Sequence, residues 1–172
     1  MISLNSTLTL AKRAGVTIGI GAACYLQPYR PMVFVGHSME PTYQTHSMAL
    51  TEPVKEDDLK RGQVVVINME SGPIVKRIAF APGDSFLQTY LDGHWVDMIY
   101  VRPTAKSHLN PKTMRTYVVP KGMVYVLGDN LEVSMDSRMF GCVSTSQIDR
   151  ILVDQRPFDP LKNWHQETLR EQ

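Results

Sequence analysis

Beyond residue 31, glycine and proline punctuation keeps the apolar runs short, and this sets the fold class. Met48–Leu50, Val64–Asn68 and Ile74–Ala79 are rich in β-branched or apolar residues and are bounded by Gly or Pro. Phe86–Leu91 and His94–Met98 flank Asp92-Gly93, a two-residue hairpin signal. Tyr117–Val119 and Met123–Leu127 flank Pro120-Lys121-Gly122, a second tight turn. Ile148–Val153 reads as a final strand, and Thr104–Arg115, polar and interrupted by Pro111, as a loop. Helical periodicity is weak except in the polar tail Leu161–Gln172. The expected class is therefore mainly β.

The segment before residue 31 is of another kind. Residues 14–26 carry no charge; Lys12 and Arg13 precede them and a proline-rich stretch follows. Thirteen residues make about 20 Å of helix, against a hydrocarbon core of about 30 Å. Ser6–Leu10, with Lys12 and Arg13 snorkelling, would supply part of the difference. The leading reading is a single-pass or tightly associated membrane anchor. A cleaved export signal and a buried core helix are the other two. Lys12 and Arg13 favour a cytoplasmic N-terminus, which places the rest of the chain outside. Met32–Val35 is a second apolar stretch, suited to the membrane interface. The expected layout is an anchor over 1–31, a β-rich domain over 32–157 and a polar tail over 158–172.

Composition removes several function classes. Eighteen basic and 17 acidic residues leave a net charge of +1, which gives no electrostatic reason to expect nucleic-acid binding. Glu56-Asp57-Asp58, followed by Lys60-Arg61, reads as a solvated turn. Cys24 and Cys142 lie in no metal-ligand spacing and read as small buried side chains. The histidines at 37, 46, 94, 108 and 165 show no i, i+4 pairing. No metal site and no cofactor is expected.

Four segments carry chemistry. They are Gly36-His37-Ser38-Met39-Glu40-Pro41-Thr42; Arg61-Gly62-Gln63-Val64-Val65-Val66; Val75-Lys76-Arg77-Ile78, leading to Ala81-Pro82-Gly83-Asp84; and Gly128-Asp129-Asn130, leading to Ser134-Met135-Asp136-Ser137-Arg138 and Gly141. Each alone is weak. Taken together and in order, they resemble the boxes of the type I signal peptidases, over roughly residues 33–143. That resemblance implies a largely antiparallel β catalytic domain behind one N-terminal membrane-anchoring helix. It implies a serine endopeptidase with Ser38 as nucleophile and Lys76 as general base.

A serine hydroxyl is a poor nucleophile until something takes its proton. No histidine stands in a recognisable triad motif, and a lysine serves as base only when neutral. Burial beside Val75 and Ile78 would lower its pKa toward the working range. The resemblance also implies that Ser134 hydrogen-bonds the lysine and that Asp136 and Arg138 brace the site as an ion pair. Asp129 would be the turn acid of the same box. The backbone N–H of Ser38 would hold the oxyanion, and shallow apolar pockets near Met39 and Val75 would limit substrates to small side chains before the cut.

The sequence departs from the family pattern at four positions. Gly36 lacks the serine hydroxyl that joins the oxyanion hole in some members. Gln63 stands for Asp, Phe80 for Gly, and Leu131 for the Arg common in bacterial members. Gly128-Asp129-Asn130-Leu131 and the short chain are similar to the mitochondrial inner-membrane branch. Expected partners are precursors bearing signal peptides and the lipid bilayer, with a sister peptidase subunit left open. The expected location is the plasma membrane with the domain extracytoplasmic, or the mitochondrial inner membrane facing the intermembrane space. A specialised relative processing one partner, such as a conjugation pilin, and a membrane-tethered peptide-binding domain without catalysis are the competing readings.

Overall fold

The structure is a computed structural model and describes residues 28–91, 93–98 and 111–159. The chain divides into two compact units, residues 1–30 and 31–172. The expected anchor over 14–26, Cys24, and the polar tail beyond residue 159 lie outside the described residues. Among the described residues no helix is long and apolar enough to cross a membrane.

The described residues form ten strands in chain order: β1 (Arg30–Val33), β2 (Met48–Pro53), β3 (Val64–Met69), β4 (Gly72–Phe80), β5 (Ser85–Leu91), β6 (His94–Asp97), β7 (Met114–Val118), β8 (Met123–Leu127), β9 (Val143–Ser144) and β10 (Ile148–Leu152). Seven form one sheet in the order β1-β2-β10-β3-β4-β8-β9; three form a second, β6-β5-β7. The β2–β10, β10–β3, β3–β4, β4–β8 and β8–β9 pairings are antiparallel, as are both pairings of the small sheet. The expected mainly antiparallel β domain is therefore present.

Turn chemistry sets these strands. Leu91 pairs with His94, which closes the hairpin at Asp92-Gly93, and Gly93 has φ +87°. At the second turn the Met123 N–H donates to Pro120 O. Strand β7 begins at Met114, so Met114 and Arg115 of the expected loop are strand, while its residues 104–110 lie outside the described residues. There Met114 and Arg115 pair with Thr89 and Gln88, and tertiary pairing overrides the polar local sequence. Strand β1 tolerates Pro31 because it lies at the sheet edge.

Side-chain alternation separates two apolar layers. Val65 and Ile67 of β3 join Ile78, Val124, Val126, Val143 and Ile148 in one cluster. Val64 joins Phe34, Met39, Tyr43 and Leu152 in another, against which Val66 and Val75 pack. Phe80, Phe86, Tyr125 and Leu127 fill the junction with the small sheet, where the hydroxyl of Tyr125 donates to the Asp97 carboxylate. Cys142 is only half-buried rather than enclosed, and its thiol meets the Tyr117 hydroxyl at 3.5 Å. The second layer matters most for the site, since it buries Met39 and Tyr43 of the same loop that carries Ser38.

Candidate active site

Ser38 lies in the loop between β1 and β2. Gly36 opens it at φ +92°, a conformation that favours glycine, and its N–H donates to Thr45 Oγ1 (3.1 Å). The Glu40 carboxylate closes the loop by accepting the Thr45 N–H (3.3 Å) and meeting His37 Nδ1 (3.1 Å). The His37 contact holds the Glu40 carboxyl below the ordinary carboxylate range. Tyr43 N–H donates to Met39 O (2.9 Å), while both side chains sink into the core and the Tyr43 ring stacks on Phe34 at 4.8 Å. Ser38 is left half-exposed at the top.

Lys76 comes from β4, which pairs with β3 on one side and β8 on the other. A central strand excludes water, and Lys76 is only 5% exposed. Its Nζ donates to Ser38 Oγ (2.9 Å) and to Val75 O (3.0 Å). Burial pushes the amine below the ordinary lysine value; Asp136 and Asp129 oppose the shift, and Arg138 reinforces it. The structure thus brings together the two residues that the sequence placed 38 positions apart.

The supporting residues differ from expectation in three respects. Ser134 Oγ is buried and has no hydrogen-bond partner, so the expected bond to Lys76 is absent. The reason is packing. Ser134 is pressed against Gly128, where a Cβ would stand 2.2 Å from its Oγ and 2.5 Å from Ser38 O. Second, Asp129 is more than a turn acid. It takes two parallel hydrogen bonds from Arg77, Nε to Oδ1 and Nη2 to Oδ2, both 2.7 Å. The side chains are 2% and 0% exposed, so this is a buried ion pair. Arg77 Nη1 also donates to Gly62 O (2.7 Å). Third, Met39 is 2% exposed and belongs to the core, so of the two expected pocket residues only Val75 is partly exposed.

Asp136 and Arg138 form the expected ion pair, with Nε 2.6 Å from Oδ1 and Nη2 2.9 Å from Oδ2. Asp136 is fully buried. It also accepts the Gly128 N–H (3.0 Å) and caps the short helix α1 (Ser137–Phe140) through the Arg138 N–H. Arg138 Nη2 reaches Ser134 O (3.0 Å), which fixes the loop between β8 and α1. That loop holds the nucleophile in turn, because Asn130 N–H donates to Ser38 O (3.0 Å). Sequence reasoning missed Arg77 and Gly128. Both lie inside the recognised boxes, but an arginine beside a lysine on a strand reads as a solvated edge, and one glycine in a turn carries no mark of close approach.

A serine hydroxyl facing a desolvated amine, on a rigid antiparallel β frame, is what a lysine-based serine hydrolase needs. The sequence profile of the family described as signal peptidase, peptidase S26, matches residues 7–151. Signal peptidase I of Bacillus amyloliquefaciens is 36% identical over 121 residues, 64% of this chain and 65% of that protein, so the match spans just under two thirds of its length. Signal peptidase IB of Staphylococcus aureus (strain COL) is 33% identical over 141 residues, 69% of this chain and 72% of its own. A solved signal peptidase I from Enterococcus faecalis is 25% identical, covers 56% of this chain and 97% of its own, and overlays with a TM-score of 0.36. The chain belongs to the signal peptidase family, peptidase S26.

Two predictions follow from the packing. Arg77→Ala and Asp129→Ala should each lower unfolding free energy by about 3–5 kcal/mol, since either leaves a buried charge unpaired. The double variant Arg77→Met/Asp129→Leu should cost less than the sum. Denaturant melts decide it, and additive losses under about 1 kcal/mol would mean the pair is solvated. Gly128→Ala should cut kcat by roughly 100-fold, because the new methyl must displace the Ser38 backbone. Wild-type kcat in a folded Gly128→Ala protein would show that Ser38 needs no fixed position.

Proposed function

We propose that this protein is a membrane-bound endopeptidase that removes N-terminal targeting peptides from exported or sorted precursors, with Ser38 as nucleophile and Lys76 as general base. The observation that carries this reading is the 2.9 Å contact between the buried Lys76 amine and Ser38 Oγ. The names of the bacterial relatives support the substrate class.

In the proposed reaction, neutral Lys76 accepts the Ser38 proton as Oγ attacks the scissile carbonyl. The oxyanion forms against the Ser38 N–H, without the side-chain donor that Gly36 lacks. Lys76 then gives its proton to the leaving amine, which departs as the new N-terminus of the mature protein. A water molecule, deprotonated by the same amine, attacks the acyl-serine and releases the targeting peptide. Asp129, Asp136, Arg138 and Ser134 act through position: they hold the frame that fixes Ser38 against β4. The cut falls after a small residue, with Ala-like side chains at the first and third positions before it. Val75 forms part of the surface that limits their size.

A lipid surface fits as a second partner. Val33 (50% exposed), Val35 (85%), Met48 (73%) and Leu50 (50%) present apolar side chains on and beside the edge strand β1 and its neighbour β2. Val33 and Val35 follow closely in sequence on the uncharged segment 14–26, which supplies the anchor, and the domain works on the extracytoplasmic side.

Incubation of the purified protein in detergent with a panel of precursors, with cut sites read by mass spectrometry, tests the activity. Ser38→Ala should abolish cleavage and keep the fold. Full cleavage by that variant, or no cleavage of any precursor by wild type, would end this reading.

Lys76 also makes a stability prediction. Its folded pKa is below the ordinary value of 10.5. Between those two values the unfolded chain holds more protons than the folded one, so stability rises with pH. Below the folded pKa the whole penalty of burying the amine is present. Lys76→Met should therefore be inactive but melt higher than wild type. The gap should be widest at low pH and should close toward pH ~10.5. The wild-type rate should rise from neutral to mildly alkaline pH as the amine loses its proton. A rate falling steadily from about pH 6 to 9 in folded protein, or a Lys76→Met variant less stable at every pH, contradicts a desolvated base.

A further inference from the structure

The segment after β10 makes a set of contacts that the recognised boxes do not include. Arg156 is an exposed side chain, yet its contacts converge on the loop that carries Ser38. Its Nη1 donates to Thr42 O (2.9 Å), its backbone N–H donates to the Tyr43 hydroxyl (3.0 Å), and its guanidinium lies 5.1 Å from the centre of the Tyr43 ring. Its Nε donates to Asp154 Oδ2 (2.8 Å), which fixes the fork in that direction. Tyr43 answers by donating its hydroxyl to Asp154 O (2.5 Å).

The two residues beside Arg156 extend the attachment. Gln155 acts as a substitute strand where β10 has ended. Its carboxamide accepts the Val64 N–H (2.7 Å) and donates to Val64 O (3.1 Å) and Leu152 O (2.6 Å). Val64 is the first residue of β3 and pairs with Arg77, the neighbour of Lys76. Farther on, the Phe158 ring lies 5.9 Å from the Arg77 guanidinium. One short segment therefore grips the nucleophile loop through Arg156 and the strand pair that carries Lys76 through Gln155.

We propose that residues 154–156 form a latch that sets the Ser38–Lys76 distance, with Arg156 and Tyr43 as positioning residues; this rests on the reading of Ser38 and Lys76 as the reacting pair. Energy alone does not account for the arrangement, because an exposed ion pair such as Arg156–Asp154 contributes little to stability. Direction does. Tyr43 N–H is bonded to Met39 O, so a displaced Tyr43 pulls on the residue next to the nucleophile. A reacting pair misplaced by about 1 Å loses on the order of 100-fold in rate.

The test uses the full chain and a fluorogenic peptide with alanine at the first and third positions before the cut. Arg156→Ala should lower kcat about 10- to 100-fold with KM within roughly twofold of wild type, since substrate binding is not involved. Tyr43→Phe keeps the ring and loses both hydroxyl bonds, and should lower kcat by about 10-fold. Arg156→Lys keeps the charge without the fork and should recover part of the loss. Melting temperatures should stay within about 3 °C of wild type, the range of a small surface effect. Unchanged kcat in Arg156→Ala and Tyr43→Phe, a rise in KM alone, or a loss of rate wholly explained by unfolded protein would each overturn the latch. Ser38→Ala is run beside them. If that variant still turns over, the reacting pair is wrong; if it is inactive while Arg156→Ala is fully active, only the latch is wrong.

Discussion

The buried pairing of Arg77 with Asp129 is the constraint on which the site depends. Arg77 follows Lys76 on β4, and Asp129 stands one residue before Asn130, whose N–H holds the Ser38 carbonyl. Two parallel bonds at 2.7 Å therefore tie the strand of the amine to the loop that steadies the hydroxyl. A pair this deep has little tolerance for change. Each ion is desolvated and is compensated by the other, with the Gly62 carbonyl and the Phe158 ring also facing Arg77. The pair adds geometric definition more than stability, and geometry is what a serine–amine contact requires.

Charge placement around Lys76 shows the same economy. Asp129 and Asp136 are both buried and each raises the pKa of the lysine. Each is matched by an arginine, Arg77 and Arg138 respectively. Burial outweighs the two acids and Arg138 adds to it, so the amine is pushed down rather than up. The two ion pairs thus act on the chemistry through the field at Lys76 as well as through the frame. Gly128 completes the arrangement by letting Ser134 and the Ser38 backbone approach more closely than any side chain would allow.

Much of this was legible in the sequence where the signal was local. Asp92-Gly93 and Pro120-Lys121-Gly122 marked their turns because the backbone there needs residues of those types, and the strands around them followed. Strand β9 has two residues and left no periodicity to read. The start of β7 was hidden because Met114 and Arg115 are held by β5 rather than by their own propensity. Ser38 and Lys76 were visible only as members of ordered boxes, since neither residue alone marks itself as reactive. Arg77 was not singled out because a guanidinium becomes a core group only when a carboxylate from 52 residues away meets it. The lack of a Ser134–Lys76 bond was equally beyond the sequence, because it depends on how closely Gly128 lets the serine pack. Tyr43 and Arg156, separated by 113 residues, gave no sign of meeting.

The central claim is that burial beside Ser38 holds the pKa of the Lys76 amine below that of an ordinary lysine, so that the neutral form is reached at lower pH. A pH titration of the Lys76 13Cε resonance in the folded, full-length protein measures that pKa directly. The account predicts a midpoint clearly below the ordinary lysine value of 10.5, and a return of that midpoint toward the ordinary value when the protein is unfolded in denaturant. A folded-state midpoint at or above the ordinary value would contradict it, because a protonated amine has no lone pair with which to take the serine proton.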